Sequence, residues 1–192
     1  FNSMAVQVLA SQATLEQRVA DRTRELAILN AVSDVTSRSL DLWTILAAAL
    51  QKTLEAIHLE AGAAFRLEPD AQTLALIAHQ GLSSSFVQRV ERLPLQISAA
   101  AIAVATHRPA IQKLSDYEEG EWKAAIEAEG LCLVISVPLV AKGEILGVIN
   151  LAARAEREST AQELSLLASI GQQVGMAMEN ARLYEQAEEA AA

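Results

Sequence analysis

Leu131-Cys-Leu-Val-Ile-Ser-Val-Pro-Leu-Val-Ala-Lys-Gly-Glu-Ile-Leu-Gly-Val-Ile-Asn150 is the stretch whose reading decides the fold. It is dense in Val, Ile and Leu, and its charges sit only at Lys142 and Glu144, on either side of Gly143. That pattern predicts two apolar strands folded about a Lys142-Gly143 turn. A long amphipathic helix follows the pair and another precedes the domain, so the order is helix, sheet, helix.

Working outward, residues 62–68 and 73–79 flank Pro69-Asp-Ala-Gln72 and predict a second antiparallel hairpin, closed by Gly81. Residues 83–92 form a short helix with serine caps, and 97–106 an Ala-rich one. Arg108-Pro109 leads into a brief strand at 110–113. Residues 116–129 read as a charged, mobile stretch ending in a helix that stops at Gly130. Downstream, Leu164, Leu167, Gly171, Val174, Met178 and Ala181 line one face of a helix over 160–188. Met176 and Met178 read as gap-fillers in its packing.

Residues 4–36 hold no Pro or Gly. Leu15, Val19, Arg22, Leu26 and Leu29 fall on alternating heptad positions, with Arg22 where an apolar residue would pack best. Two readings are open: a parallel dimer seam, or a helix lying on its own domain. Ser39-Leu-Asp41 interrupts the run, and Asp41 is placed to cap a helix over 42–58 whose apolar stripe suits packing on a sheet. Phe1-Asn2-Ser3 reads as a tag remnant.

The hydrophobic share is 52% and the charged share 20%, a globular composition, while aromatics reach only 4% and leave an aliphatic core. A formal charge of −9 and a pI near 4.8 oppose binding to nucleic acid or anionic membranes. The acidic residues crowd toward the C-terminus, as on a solvated helix face. The single cysteine, Cys132, excludes an internal disulfide and a cysteine zinc cluster, and is compatible with a reducing cytoplasm. No apolar run reaches the ~20 residues a membrane span needs. His58, His79 and His107 are dispersed without metal-ligand spacing, and no phosphate loop or nucleophile elbow is present, so the chain is read as non-enzymatic with no metal site.

Ser136-Val-Pro-Leu139, Gly143-Glu-Ile-Leu-Gly-Val-Ile-Asn150, Glu163-Leu-Ser-Leu-Leu167, Gly171-Gln-Gln173 and Met178-Glu-Asn-Ala-Arg-Leu-Tyr184 together resemble a GAF domain. Ala78-His-Gln-Gly-Leu-Ser83 and Thr106-His-Arg-Pro109 add to the likeness, which spans about 29–184. Residues 15–26 resemble the linker helix ahead of sensors in bacterial histidine kinases, and 179–185 the helix leading from a GAF domain to an output unit. The resemblance implies an α+β fold: an antiparallel sheet of about six strands, terminal helices on one face, short helices and loops over a pocket on the other. It implies a linker at 1–36, a GAF domain at 37–178 and an outgoing helix at 179–192, acting as a cytoplasmic homodimer.

Against the ligands such domains bind, Asn150 is followed by Leu151, Ser159 stands near an expected Phe, and Glu163 replaces an Asp, which disfavours a cyclic nucleotide. Cys132 sits on a strand as a structural thiol, which disfavours a bilin, and no residue specifically supports haem. A lone cysteine also departs from the free methionine sulfoxide reductase branch. Position along the implied fold nominates Phe65, His79, Phe86, Trp122, Cys132 and Ser136 as pocket residues. Leu15, Val19, Arg22, Leu26 and Leu29 are nominated for the dimer interface. Two functions follow: a sensor of a small molecule, or a ligand-free module for dimerisation and signal transmission.

Overall fold

A computed structural model describes residues 2–191. The chain starts with a 35-residue helix, α1 (Asn2–Thr36), about 52 Å long at 1.5 Å per residue. From Ser3 to Ala20 it is exposed on every side, whereas Val32 and Thr36 are buried in the domain. Helix α2 (Leu42–Ile57) begins where its sequence demands. The Asp41 carboxylate accepts from the Thr44 N–H at 2.8 Å, and the helix ends on His58 in the left-handed region.

Strands β1 (Ala61–Leu67) and β2 (Thr73–Gln80) form the first hairpin. Helix α3 (Ser84–Val90) follows, capped by Ser83, and then a short strand, β3 (Arg92–Pro94), pairs with β2. A 3₁₀ turn, Leu95–Ile97, leads into α4 (Ala100–Thr106), after which β4 (Ala110–Lys113) forms at the opposite edge of the sheet. A second 3₁₀ turn, Leu114–Asp116, precedes α5 (Glu121–Ala128). The signature pair is β5 (Leu133–Ala141) and β6 (Glu144–Ala153), followed by α6 (Ala161–Ala191).

The six strands are antiparallel to their neighbours in the order β3-β2-β1-β6-β5-β4. This is the α+β architecture expected from the sequence. Lys142 and Gly143 both have positive φ, 51° and 81°, the conformation of a two-residue type I′ hairpin turn. Pro138 is paired with Val148 of β6 on one side, and is tolerated in β5 because β4 pairs only as far as Ser136 and leaves its other side an open edge.

Strand alternation divides the core in two. Ile135, Val137, Leu139, Ile149 and Leu151 face α1, α2 and α6, joining Ile45, Leu46, Leu50, Leu54, Leu167, Ile170 and Val174 in one aliphatic cluster. Ala63, Phe65 and Val148 point to the other face, beneath α3 and α4, with Leu74, Val90 and Leu93. Ala61 and Ala152 continue that face under Tyr117, Ile126 and Leu131.

Three expectations change. Residues 116–129 are packed onto the domain rather than loose: two of their own side chains, Tyr117 and Ile126, are buried. Strand β3 is not read from the sequence: it meets the expected 83–92 helix only at Arg92, and three residues carry too little periodicity to be read. Met178 packs in the core as expected, but Met176, half a turn away, is 60% exposed.

Candidate functional site

On the face away from the long helices, Gly62, Ala63 and Phe65 of β1 and Asn150 and Ala152 of β6 form the floor of a cavity. Phe86 of α3, Trp122 and Ile126 of α5, and Tyr117 close it from above. Its volume is about 40 Å³, room for about three waters. Phe86 and Trp122 stack with ring centroids 6.0 Å apart and planes inclined by 23°. The Trp122 Nε1–H is buried without a hydrogen-bond partner.

Polar groups enter this space in controlled positions. Ser136 and Asn150 lie opposite one another in the β5–β6 ladder, and the fully buried Ser136 Oγ donates to Asn150 Oδ1 at 2.7 Å. Burial pushes the Tyr117 hydroxyl up to about 12, partly offset by the Ala99 backbone amide, so it stays neutral through the physiological range.

An ionic clasp stands beside the cavity. The Glu129 carboxylate at the end of α5 accepts from the Ser83 N–H at 2.9 Å, from Ser83 Oγ, and from Arg154 Nη2 at 3.2 Å. Arg154 also donates to the Gly81 carbonyl at 2.7 Å and to the Glu129 carbonyl. Burial works against the Glu129 charge, but the Ser83 and Arg154 hydrogen bonds outweigh it and hold the carboxyl below the usual glutamate range. The clasp joins the β2–α3 loop, the end of α5 and the segment after β6. Phe86 is shared between the cavity and the groove holding the clasp.

Of the six nominated pocket residues, Phe65, Phe86 and Trp122 line the cavity. Ser136 stands behind it, contributing through Asn150. His79 is exposed at the end of β2 and does not border it. Cys132 precedes β5 rather than lying within it. It is half-buried in a separate groove, its Sγ donating to the Arg154 carbonyl at 3.3 Å. Sequence reasoning missed Tyr117 and the Glu129–Arg154 clasp; the only local signal for the clasp was the capping serine, Ser83. Among the described residues no group of three or more His, Cys, Asp or Glu is arranged to hold a metal ion.

On the helical side, Leu15, Val19 and Leu26 are exposed, and Arg22 pairs with Glu25 at 2.7 Å. Leu29 packs partly against the domain's own core. Glu179 departs from the solvated acidic face expected of the C-terminal region. It is buried, receiving Arg182 at 2.9 and 3.1 Å and Lys142 at 3.4 Å, which binds the β5–β6 turn to α6. These donors, Arg182 foremost, lower its pKa.

Comparison with solved structures places several close in fold. The GAF domain of a phosphoenolpyruvate-protein phosphotransferase from Coxiella burnetii is 17% identical and superposes with a TM-score of 0.69, covering 85% of this chain and 98% of that one. The GAF domain of a protein assigned as a sensor histidine kinase from Pseudomonas syringae pv. tomato is 16% identical, with a TM-score of 0.66 over 92% and 99% of the two chains. Free methionine-R-sulfoxide reductase from Neisseria meningitidis, solved with its substrate, is 16% identical, with a TM-score of 0.67 over 83% and 91%. A search of curated protein sequences returned no match. At these identities the likeness speaks for the fold alone, but a family model for the GAF domain matches residues 39–179. With its six-stranded sheet, its cavity on one face and its long helices on the other, this chain belongs to the GAF domain family.

Proposed function

We propose that this chain is the sensory GAF domain of a bacterial signalling protein of the histidine-kinase kind, in which occupancy of the Phe86–Trp122 cavity is relayed through α1 and α6 of a homodimer. The observation that carries the reading is that β1, β5 and β6 are shared. The strands that floor the cavity carry, on their reverse side, the residues against which α2 and α6 pack. A change in the cavity therefore acts on the strands that seat the helices, and the Lys142–Glu179–Arg182 contacts tie the same hairpin to α6.

In this reading residues 1–36 are the linker, 37–178 the sensory domain and 179–192 the outgoing helix, in the cytoplasm and without catalysis of their own. Among the described residues no helix is long and apolar enough to cross a membrane. Leu15, Val19, Arg22 and Leu26 form the dimer seam, continued toward the domain by Leu29. The unpartnered apolar residues along the first half of α1 support this, because a lone helix of that length gains little stability without a packed face. A tenfold difference in ligand affinity between two arrangements supplies about 1.4 kcal/mol, enough to bias a seam weakened by Arg22.

Native mass spectrometry of freshly purified protein tests the reading, with a dimer retaining a small molecule as the expected result. Replacing Arg22 with Leu should tighten the dimer about tenfold in sedimentation equilibrium; an unchanged constant would remove the seam from the relay. A second reading, a ligand-free module for dimerisation and signal transmission, is favoured by one observation, the small volume of the cavity. A dimer without any retained molecule supports it.

A further inference from the structure

We infer that the groove between α3 and α5 is the entrance to the cavity, with the Phe86 ring as its gate and the Ser83–Glu129–Arg154 clasp as the latch that holds the gate shut. This rests on the sensory reading above for the part a guest would play there. The passage itself is a property of the two helices.

Two spaces meet at one side chain. Ser85, Phe86 and Arg89 of α3 stand across from Ala125 and Ala128 of α5 in an open groove of about 560 Å³. Trp122, Ala125 and Ala128 recur every three residues, so one stripe of α5 turns toward α3. The two alanines leave the room that larger side chains would fill. Phe86 lines both this groove and the cavity beneath it. Ala152 also borders a second groove, but there the partition is β6 itself, paired with β1 at Ala61 and with β5 at Val134. A strand held on both sides does not step aside, whereas a half-buried ring can turn about its side-chain torsions. Elsewhere the wall is closed, since Leu93, Ser98, Ala99, Tyr117 and Leu131 are all buried.

The latch acts on the gate through hydrogen bonds. Val90 is the one buried residue of α3 and Ile126 that of α5, so neither helix is heavily anchored. Ser83 caps the start of α3 and Glu129 stands at the end of α5, so the bonds between them span the groove. The Ser83 hydroxyl that donates to Glu129 also accepts from the Phe86 N–H at 3.3 Å, which ties the latch to the backbone of the gate residue. Bonds to a carboxylate are among the stronger ones, and Arg154 adds a third partner. While they persist, α3 cannot draw away from α5 and the Phe86 ring stays stacked on Trp122. Once they break, the first turn of α3 is released and the ring can leave the opening. The groove then supplies what the closed cavity lacks, because its volume lies within the range of ligand pockets, about 300–1,000 Å³.

Xenon, a small apolar probe that enters dry cavities, tests the passage without a natural ligand. Under xenon pressure the methyl resonances of Ala63 and Ala152, on the cavity floor, should shift, and their exchange broadening gives the rates of entry and departure. Glu129→Gln should speed both rates about fivefold while changing the affinity less than about twofold, because Glu129 does not line the cavity. Phe86→Leu, which thins the gate, should speed entry at least as much, and it decides the matter if Glu129→Gln fails to fold. Glu179→Gln, which removes a buried charge from the helical face, should leave the rates unchanged.

Rates unaltered by Glu129→Gln overturn the latch, and rates unaltered by Phe86→Leu overturn the gate. Equal acceleration by Glu179→Gln overturns the passage in favour of general loosening of the domain. Xenon that reaches neither methyl, even in Phe86→Leu, shows that the groove does not lead inward and overturns the proposal as a whole. None of these outcomes touches the sensory reading, which the molecule retained in native mass spectrometry decides.

Discussion

On the helical face of the sheet, Leu46, Leu50, Leu167 and Ile170 share an aliphatic core with Ile135, Leu139, Ile149 and Leu151, and none of these side chains reaches solvent appreciably. On the opposite face, aromatic rings, alanines and isolated polar groups surround an unfilled volume, and short helices are held down by a clasp of charges. The difference separates two tasks carried by the same strands. A dense interface transmits displacement because it has two arrangements or none, whereas a loosely filled one can accept a guest. On the dense side the helix comes onto the strand with no room for a side chain: a Cβ on Gly175 would stand 2.4–2.6 Å from the Val140 backbone, and one on Gly171 would stand 2.3 Å from the Pro138 carbonyl oxygen.

Replacing Leu167 with Ala attacks the dense face directly. We expect a loss of about 3–4 kcal/mol in urea unfolding, the range for a fully buried leucine in a core that cannot collapse. A loss below about 1 kcal/mol would mean that the helical face is no better packed than the other. Gly175→Ala follows, with an expected loss of about 2–3 kcal/mol. Its sign is diagnostic, since alanine in an unobstructed helix would instead stabilise by roughly 1 kcal/mol.

The cavity face is probed by pH at both extremes. Tyr117 has a folded-state pKa near 12 against an ordinary value of 10.0, so the folded form holds its proton longer. Stability should then be intact below pH 10 and decline between pH 10 and 12, by of order 2 kcal/mol, and Tyr117→Phe should abolish that decline. Parallel alkaline unfolding curves for the two proteins would show the hydroxyl to be in contact with water.

Glu129 works in the reverse sense. Its pKa is depressed, so its contribution is complete above the ordinary glutamate value of 4.5 and disappears as the pH falls through the folded value. Glu129→Gln should cost about 1 kcal/mol at neutral pH. It should also speed hydrogen exchange in α3 and α5 while leaving α2 and α6 protected, and acid should reproduce the pattern in the wild type. Equal loss of protection on both faces would show that the clasp holds the whole fold together.

Much of this architecture is legible in the sequence. The β5–β6 hairpin followed from its apolar run and Lys142-Gly143, and α2 from Asp41 and a stripe at helical spacing, because strand alternation, turn chemistry and capping are local. The cavity was legible only in part. Phe65, Phe86 and Trp122 come from three separate elements and could be nominated by their place in the family's fold, yet the same reasoning nominated His79 and Cys132, which lie elsewhere. A residue's face on a strand follows from its register, but whether that face is covered at that height depends on the loop above it.

The sequence by itself determined the scaffold and excluded a charge-rich chemistry, since element type, net charge and the scarcity of cysteine and histidine are properties of the chain read in order. Only the tertiary structure decided that Glu129 meets Ser83 and Arg154 across separations of 46 and 25 residues. It likewise decided that Gly175 admits the β5 backbone, and that the Trp122 donor is sealed without a partner. Each of these depends on where two distant segments stop against one another. That distance is set by packing of the whole core rather than by any local preference of the residues that meet.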